Sequence, residues 1–155
     1  MKMLFVQTAK HKVNRDISSD ILVNFPEMIF KHTEWEYSYQ QRADGCFLKP
    51  TFKNMPYRNS FVPEIDVVVS RHDAQTMLHI NGRPVKFVRV FMTLWLGFLL
   101  AIEAFLFALV ITSDLKSIFP VFIPAGMCIF GYLLCELGTK ITFNSVVKAI
   151  RKECR

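Results

Sequence analysis

The chain has 155 residues and a formal net charge of +6, and 52% of its residues are hydrophobic against 21% charged. This length leaves room for one small folded domain beside a membrane segment and excludes a second domain. Because no recognisable nucleic-acid-binding module accompanies the basic charge, anionic lipid is the favoured partner and nucleic acid is not expected.

Residues 1–86 are predicted to form an α+β domain on the cytoplasmic side of a membrane. Residues 3–8 form a short apolar stretch that is typical of a strand. Ser18 or Ser19 can cap a helix that runs toward Lys31, and Pro26 is an obstacle inside that helix.

From Glu34 the pattern changes to an alternation of apolar and polar residues, which predicts a strand followed by a turn at residues 43–45. Further strands are predicted at residues 46–52, 61–70 and 76–80, and the last ends in the turn signal Asn81-Gly82. These strands predict an antiparallel β-meander, so the fold class is a membrane α-helical hairpin with an N-terminal α+β domain.

The run Tyr57-Arg58-Asn59-Ser60-Phe61-Val62-Pro63 is followed by a strand, a turn and an apolar run that contains a tryptophan. This order resembles a group of small, uncharacterised bacterial two-span membrane proteins, and the likeness covers residues 36–103. The resemblance implies a bacterial inner-membrane setting, and it brings no activity, substrate or cofactor with it.

Two apolar runs, residues 90–112 and 118–137, are separated by only five residues. About 20 apolar residues in a helix cross a hydrocarbon core of about 30 Å. The sequence therefore predicts a transmembrane hairpin over residues 87–139.

Basic residues flank the two runs on the sides that lead to the chain termini. Since Lys and Arg near membrane ends stay in the cytoplasm, both termini are predicted to be cytoplasmic and the turn is predicted to lie outside. We expect the flanking basic residues to contact lipid headgroups: Arg83, Lys86, Arg89, Lys140, Lys148, Arg151 and Lys152.

Residues 140–155 are predicted to form a basic amphipathic tail. Phe143, Val146, Val147 and Ile150 have helical spacing and are surrounded by basic residues. A helix lying on the inner leaflet explains this pattern, and a simple continuation of the second span into the cytosol is the alternative.

Small residues recur in both runs at spacings of four and three. Small side chains allow helix backbones to approach closely in lipid. A single antiparallel register would pair the stripe of the first run with that of the second. The predicted helix-packing seam consists of Gly97, Ala101, Ala104, Ala108, Pro124, Cys128, Gly131, Cys135 and Gly138.

Glu103 lies near the middle of the first run, where an ionised side chain costs about 2.5–3.5 kcal/mol on insertion scales. At 100° per residue it points about 130° away from the small stripe and is predicted to face lipid or another protomer. Two interpretations stay open. Glu103 is either a carboxylate at an oligomer interface that lines a pathway or exchanges a proton, or a neutral carboxyl with one local hydrogen bond.

The sequence contains no GxSxG, P-loop, GxGxxG or HExxH motif, and its four cysteines lack metal-ligand spacing. We expect no catalytic residues, metal, cofactor or disulfide. The expected function is a non-catalytic interaction or regulatory component of the membrane, with an unknown protein partner or a homo-oligomer. The alternative is a homo-oligomeric channel or proton-linked transporter that uses Glu103, and a membrane-surface enzyme comes third.

Overall fold

In the computed structural model, the residues that the structure describes form an antiparallel sheet, two short helices and two long helices. The structure describes residues 5–13, 19–51, 61–72, 75–112 and 119–154. The first predicted strand falls partly on residues 1–4, and the predicted turn at residues 113–117 and Ser18 also lie outside the described residues.

The sheet has five strands in the order β1-β5-β4-β3-β2, and all its pairs are antiparallel. Its strands are β1 (Gln7–Val13), β2 (Tyr37–Arg42), β3 (Gly45–Pro50), β4 (Pro63–His72) and β5 (Gln75–Pro84). Strands β2 to β5 form a meander, as the alternating pattern predicts, and β1 pairs with β5. The predicted antiparallel architecture is confirmed.

The turn between β2 and β3 depends on a glycine. Arg42 pairs with Gly45, so Ala43 and Asp44 form a two-residue loop, as predicted. A Cβ atom at position 45 would lie 1.9 Å from the carbonyl oxygen of Val67 on the neighbouring strand. Only glycine therefore fits at this position.

The predicted turn at Asn81-Gly82 is wrong, because both residues lie inside β5. Asn81 pairs with Asp66, and Gly82 pairs with Ile65. Gly82 instead makes room for a side chain, since a Cβ at position 82 would lie 2.3 Å from the Phe143 ring.

The single helix predicted toward Lys31 is two helices, α1 (Ser19–Val23) and α2 (Phe25–Thr33). Pro26 lies in the first turn of α2, where the absent N–H removes no helical hydrogen bond. The helix is therefore interrupted at Asn24, and a second helix begins at Phe25. Phe25 and Ile29 on α2 are fully buried.

The core lies on one face of the sheet and includes the end of the chain. Along β3, β4 and β5 the core side chains alternate, as expected for a sheet packed on one face. The helical residues predicted to lie on the inner leaflet belong to this core: Phe143, Val146, Val147 and Ile150. The apolar face of the tail is thus covered by its own domain.

Two contacts fix the tail helix in place. Thr142 Oγ1 donates a hydrogen bond of 2.6 Å to the carbonyl oxygen of Phe61. Arg151 donates one of 3.2 Å to the carbonyl oxygen of Lys10 on β1. The second contact satisfies a backbone acceptor on an edge strand.

The long helices are α3 (Lys86–Thr112) and α4 (Phe119–Glu153), and each is long and apolar enough to cross a membrane. The chain divides into two compact units, Met1–Val85 with Gly138–Arg155 and Lys86–Leu137. The last residues therefore belong with the N-terminal domain rather than to a separate tail. α4 continues without a break from one unit into the other.

Candidate functional site

The surface of α3 and the first part of α4 is built from large apolar side chains. In the most apolar 18-residue window of α3, only 6% of the residues are buried, and the corresponding value for α4 is 17%. The exposed side chains include Leu94, Phe98, Leu100, Phe105, Phe107, Ile111, Phe122, Ile129 and Phe130. A soluble monomer rarely exposes a continuous apolar surface of this kind.

The predicted packing seam is only half present in this hairpin. On α4, Pro124 and Cys135 are buried, and Cys128 and Gly131 are half-buried. On α3, by contrast, the small residues are all exposed: Gly97, Ala101, Ala104 and Ala108. The stripe on α4 faces inward as expected, and the stripe on α3 does not.

Large side chains of α3 fill the place that the small stripe was predicted to take. A Cβ at Gly131 would lie 3.6 Å from Trp95 Nε1 and 4.0 Å from Met92 Cε, whereas nothing lies within 4 Å of one at Gly97. Burying a large side chain against a small one removes more apolar area than pairing two small ones. The predicted pairing of the two small stripes is therefore not formed at Gly131.

Gly138, the last predicted member of the seam, has a different role. It belongs to the N-terminal unit, and a Cβ at position 138 would lie 2.7 Å from the Phe61 ring. The missing side chain lets this ring pack on the helix next to the Thr142 hydrogen bond.

Glu103 lies on the packed side of α3, which differs from the predicted position facing lipid or another protomer. Val88, Met92 and Leu99 are the buried residues of this helix, and Glu103 follows Leu99 by one turn. The side chain is half-buried. Its Oε2 atom is buried, and no hydrogen-bond partner for this atom is found in the part of the chain that the structure describes.

Among the predicted headgroup contacts, Lys86, Lys140, Lys148 and Lys152 are exposed. Arg83 is held within the domain instead: it bonds the Glu64 carboxylate at 3.1 Å, and its guanidinium lies 5.6 Å from the centre of the Phe47 ring. Contact between these basic residues and lipid stays a prediction.

An aromatic ladder at the start of α3 was missed by the sequence analysis. The Phe87 and Phe91 rings stack with their centroids 6.4 Å apart, and the Phe91 and Trp95 rings stack at 6.2 Å. Their spacing of four residues was the available signal, since residues four apart share a helix face. Among aromatic residues, tryptophan and tyrosine are the ones enriched where a helix enters the headgroup region, and Trp95 is the member of the ladder to which this applies.

Two clefts accompany these features. One of about 360 Å³ lies beside the ladder and is lined by Lys86, Arg89, Val90, Thr93 and Leu94. The other, of about 400 Å³, lies in the domain at the β2–β3 turn, and its lining includes Tyr39, Arg42, Asp44 and Arg71. The sequence gives no signal for the second cleft, because its lining residues come from four separate elements, α1, β2, β3 and β4.

Burial makes the polar side chains of the domain interior poor acids. It raises the pKa of Tyr37, whose hydroxyl donates a 3.1 Å hydrogen bond to the Pro63 carbonyl oxygen. Burial, together with the nearby Asp66 charge, raises the pKa of the Cys46 thiol to about 12. Cys46 is a free cysteine, and at neutral pH it is a protonated thiol rather than a nucleophile.

Comparison with family models, with curated proteins and with solved structures gave no match. The run at residues 57–63 that carries the bacterial resemblance is described only from Phe61 onward. The candidate site therefore rests on the geometry of the two units alone.

Proposed function

We propose that the chain is a small integral membrane protein in which α3 and α4 cross the bilayer as a hairpin. The domain then lies on the cytoplasmic face of a bacterial inner membrane as a non-catalytic interaction or regulatory module. The observation that carries this proposal is the exposed apolar surface of α3. At about 1.5 Å per residue its 27 residues span about 40 Å, which is enough to cross the core and reach the headgroups on one side.

The ends of α3 support this arrangement. Its first turn holds Lys86 and Arg89 and no acid, followed by the aromatic ladder. Cations and a tryptophan near the start of a helix, followed by predominantly apolar turns, are the ordinary arrangement at the cytoplasmic end of a membrane helix.

A regulatory role is supported by how the chain connects the two units. Only Val85 separates the end of β5 from the start of α3, and α4 runs on as one helix into the core of the domain. The domain is completed by residues that follow the hairpin. A change in the hairpin therefore has a direct covalent route into the packing around Phe143 and Ile150.

Insertion is tested by washing membranes that contain the full chain with alkaline carbonate. We expect the protein to stay in the pellet. Replacing Phe98 and Phe105 by arginine costs about 5–7 kcal/mol on insertion scales and should release it or prevent its accumulation. The matched control places arginine at Gln40 and Asn144, which are exposed in the domain, and should stay in the pellet. A wild-type chain that washes off would refute the proposal.

The interaction role is tested by photo-crosslinking from the open face of the sheet. Lys49 lies on that face, opposite the core, and Glu27 is exposed on α2. A photoreactive residue at position 49 should give one discrete adduct in intact membranes, and one at position 27 should not. The same heterogeneous set of crosslinked products from both positions would contradict an interaction through the open face.

A further inference from the structure

The sheet ends in two edge strands, β1 and β2, which differ in how they are protected. On β1 the carbonyl oxygen of Lys10 accepts a hydrogen bond from Arg151 at the end of α4, and the side chains of Lys10 and Lys12 are exposed. Lysines and covering contacts of this kind keep an edge strand from pairing with another chain. The β1 edge is therefore protected.

The pairing of β2 with β3 determines which backbone groups of β2 point away from the sheet. The amide of Thr51 donates a 2.8 Å hydrogen bond to the carbonyl oxygen of Glu36, so Glu36 bonds toward β3. Backbone groups of successive residues alternate between the two sides of an antiparallel strand, so every second residue after Glu36 also bonds to β3. The N–H and C=O groups of Tyr37, Tyr39 and Gln41 therefore point to the outer edge.

These outward groups have no partner in the domain as far as the structure describes it. From Tyr37 to Gln41 the strand carries no charged side chain and no proline, which are two features that ordinarily block the addition of a strand. β2 thus presents an unprotected stretch of strand backbone at one side of the sheet.

A second copy of β2 matches this edge. In an antiparallel pair with its two-fold axis at Tyr39, Tyr37 of one copy lies opposite Gln41 of the other, and the two Tyr39 residues lie opposite each other. This register joins outward groups to outward groups, so each of these residues exchanges backbone hydrogen bonds with the other strand. Because the axis repeats every contact, one short strand supplies both sides of the interface.

The side chains are compatible with the same register. Ser38 lies opposite Gln40 on the face away from the core, and Glu36 lies opposite Arg42 at each end, so the charges there are complementary. The Arg42 side chain is 52% exposed even with its ion pair inside the domain. A register shifted by two residues leaves one outward residue of β2 unpaired and separates Glu36 from Arg42.

We propose that β2 is a self-association site, at which two copies of this chain pair edge to edge and join their sheets into one continuous antiparallel sheet. The inference goes beyond the proposed interaction through the open face, because that face lies on the broad side of the sheet and stays uncovered when the edges pair. Each dimer then presents two copies of the open face side by side.

Disulfide trapping in whole-cell lysates tests the register and does not depend on insertion. Ser38 and Gln40 are exposed, and opposite residues of a non-hydrogen-bonded pair have Cα atoms about 4.5 Å apart, within the range of a disulfide. Chains carrying Ser38→Cys and Gln40→Cys, with tags of different size, are co-expressed and oxidised. We expect a disulfide between positions 38 and 40 of the two chains, identified by mass spectrometry of the linked peptides.

The matched control uses Thr8→Cys and Lys10→Cys, which are exposed and two residues apart on the protected β1 edge. This pair should give no disulfide between chains. Equal crosslinking at both edges, no crosslink at β2, or a link from position 38 to a different protein in place of the second copy would overturn the proposal.

The protomer count in mild detergent, measured by light scattering with the detergent mass subtracted, tests the dimer with two charge variants. Ser38→Glu with Gln40→Glu places like charges opposite each other and should raise the dissociation constant of the dimer by about tenfold. Ser38→Glu with Gln40→Lys places opposite charges at the same positions and should keep the dimer. Equal effects of the two variants would overturn the register. A wild-type monomer that resists carbonate would overturn the pairing and leave the membrane proposal standing.

Discussion

Ile150 and Ile141 offer a matched test of the finding that the end of α4 belongs to the core. Both are isoleucines on the same helix, but Ile150 is 0% exposed and Ile141 is 66% exposed. Replacing a fully buried isoleucine by alanine removes its packing and leaves a cavity, which costs about 2–5 kcal/mol. The same replacement at an exposed helix position changes stability by about 0.5 kcal/mol or less.

The assay is limited proteolysis of the full chain in mild detergent across a temperature series, with a thermostable protease. For a domain of about 100 residues, each kcal/mol moves the melting temperature by about 4–8 °C. Ile150→Ala should therefore lower the melting temperature of the domain by about 8 °C or more, and Ile141→Ala should leave it within a few degrees. Equal, small effects from both variants would refute the packing of this helix in the core. That result would restore the amphipathic tail lying on the leaflet.

Three further predictions concern single positions. Gly82→Ala places a methyl group on the Phe143 ring and should destabilise the domain by about 1–3 kcal/mol. The matched variant Gly97→Ala meets no atom within 4 Å and should be tolerated. The urea midpoints of the two variants, each compared with that of the wild type, test this difference. Arg83→Ala removes a charged partner of the mostly buried Glu64 carboxylate and should cost about 1 kcal/mol after allowance for the exposure of the arginine. A double-mutant cycle with Glu64→Gln would measure this cost. Because the folded-state pKa of Cys46 is raised to about 12, the unfolded chain loses its thiol proton first, so this thiol's contribution to stability should fall as the pH rises from about 9 toward 12. Cys46→Ala should flatten that decline, and an unchanged pH profile would contradict the burial of the thiol.

The sequence predicts the type of each secondary-structure element better than it predicts which residues pack against that element. The length and composition of α3, and the alternation in β2, fix their type because each signal is local. The Asn81-Gly82 pair also looked local, but its glycine is required by a ring that lies some 60 residues later in the chain, at Phe143. No local pattern carries that information.

The amphipathic end of α4 shows the same limit. A helix with one apolar face packs equally well on a bilayer or on a sheet, and spacing does not distinguish the two. The sheet supplies Ile80 and Ile65, which lie far from this helix in the chain.

The position of Glu103 depends on the packing of the two helices. From small residues alone the seam was assigned to the side of α3 that holds Gly97 and Ala101. The observed side holds Met92 and Leu99, because large apolar side chains fill the space beside Gly131. This change moves Glu103 from the predicted outer surface to the half-buried side of α3.

The central claim is that the chain leaves its domain, crosses the bilayer twice and returns to complete the same domain. Single cysteines at Gln40 in β2, at Ser117 between the long helices, and at Asn144 in α4 can be labelled with a membrane-impermeant maleimide in sealed inside-out vesicles. Labelling is quantified separately for each peptide by mass spectrometry, so that the introduced cysteine is distinguished from the four native cysteines. The account predicts that positions 40 and 144 are labelled from the outside of these vesicles and that position 117 is protected until detergent is added. Labelling of position 144 only after detergent, with position 40 labelled before it, would contradict the claim.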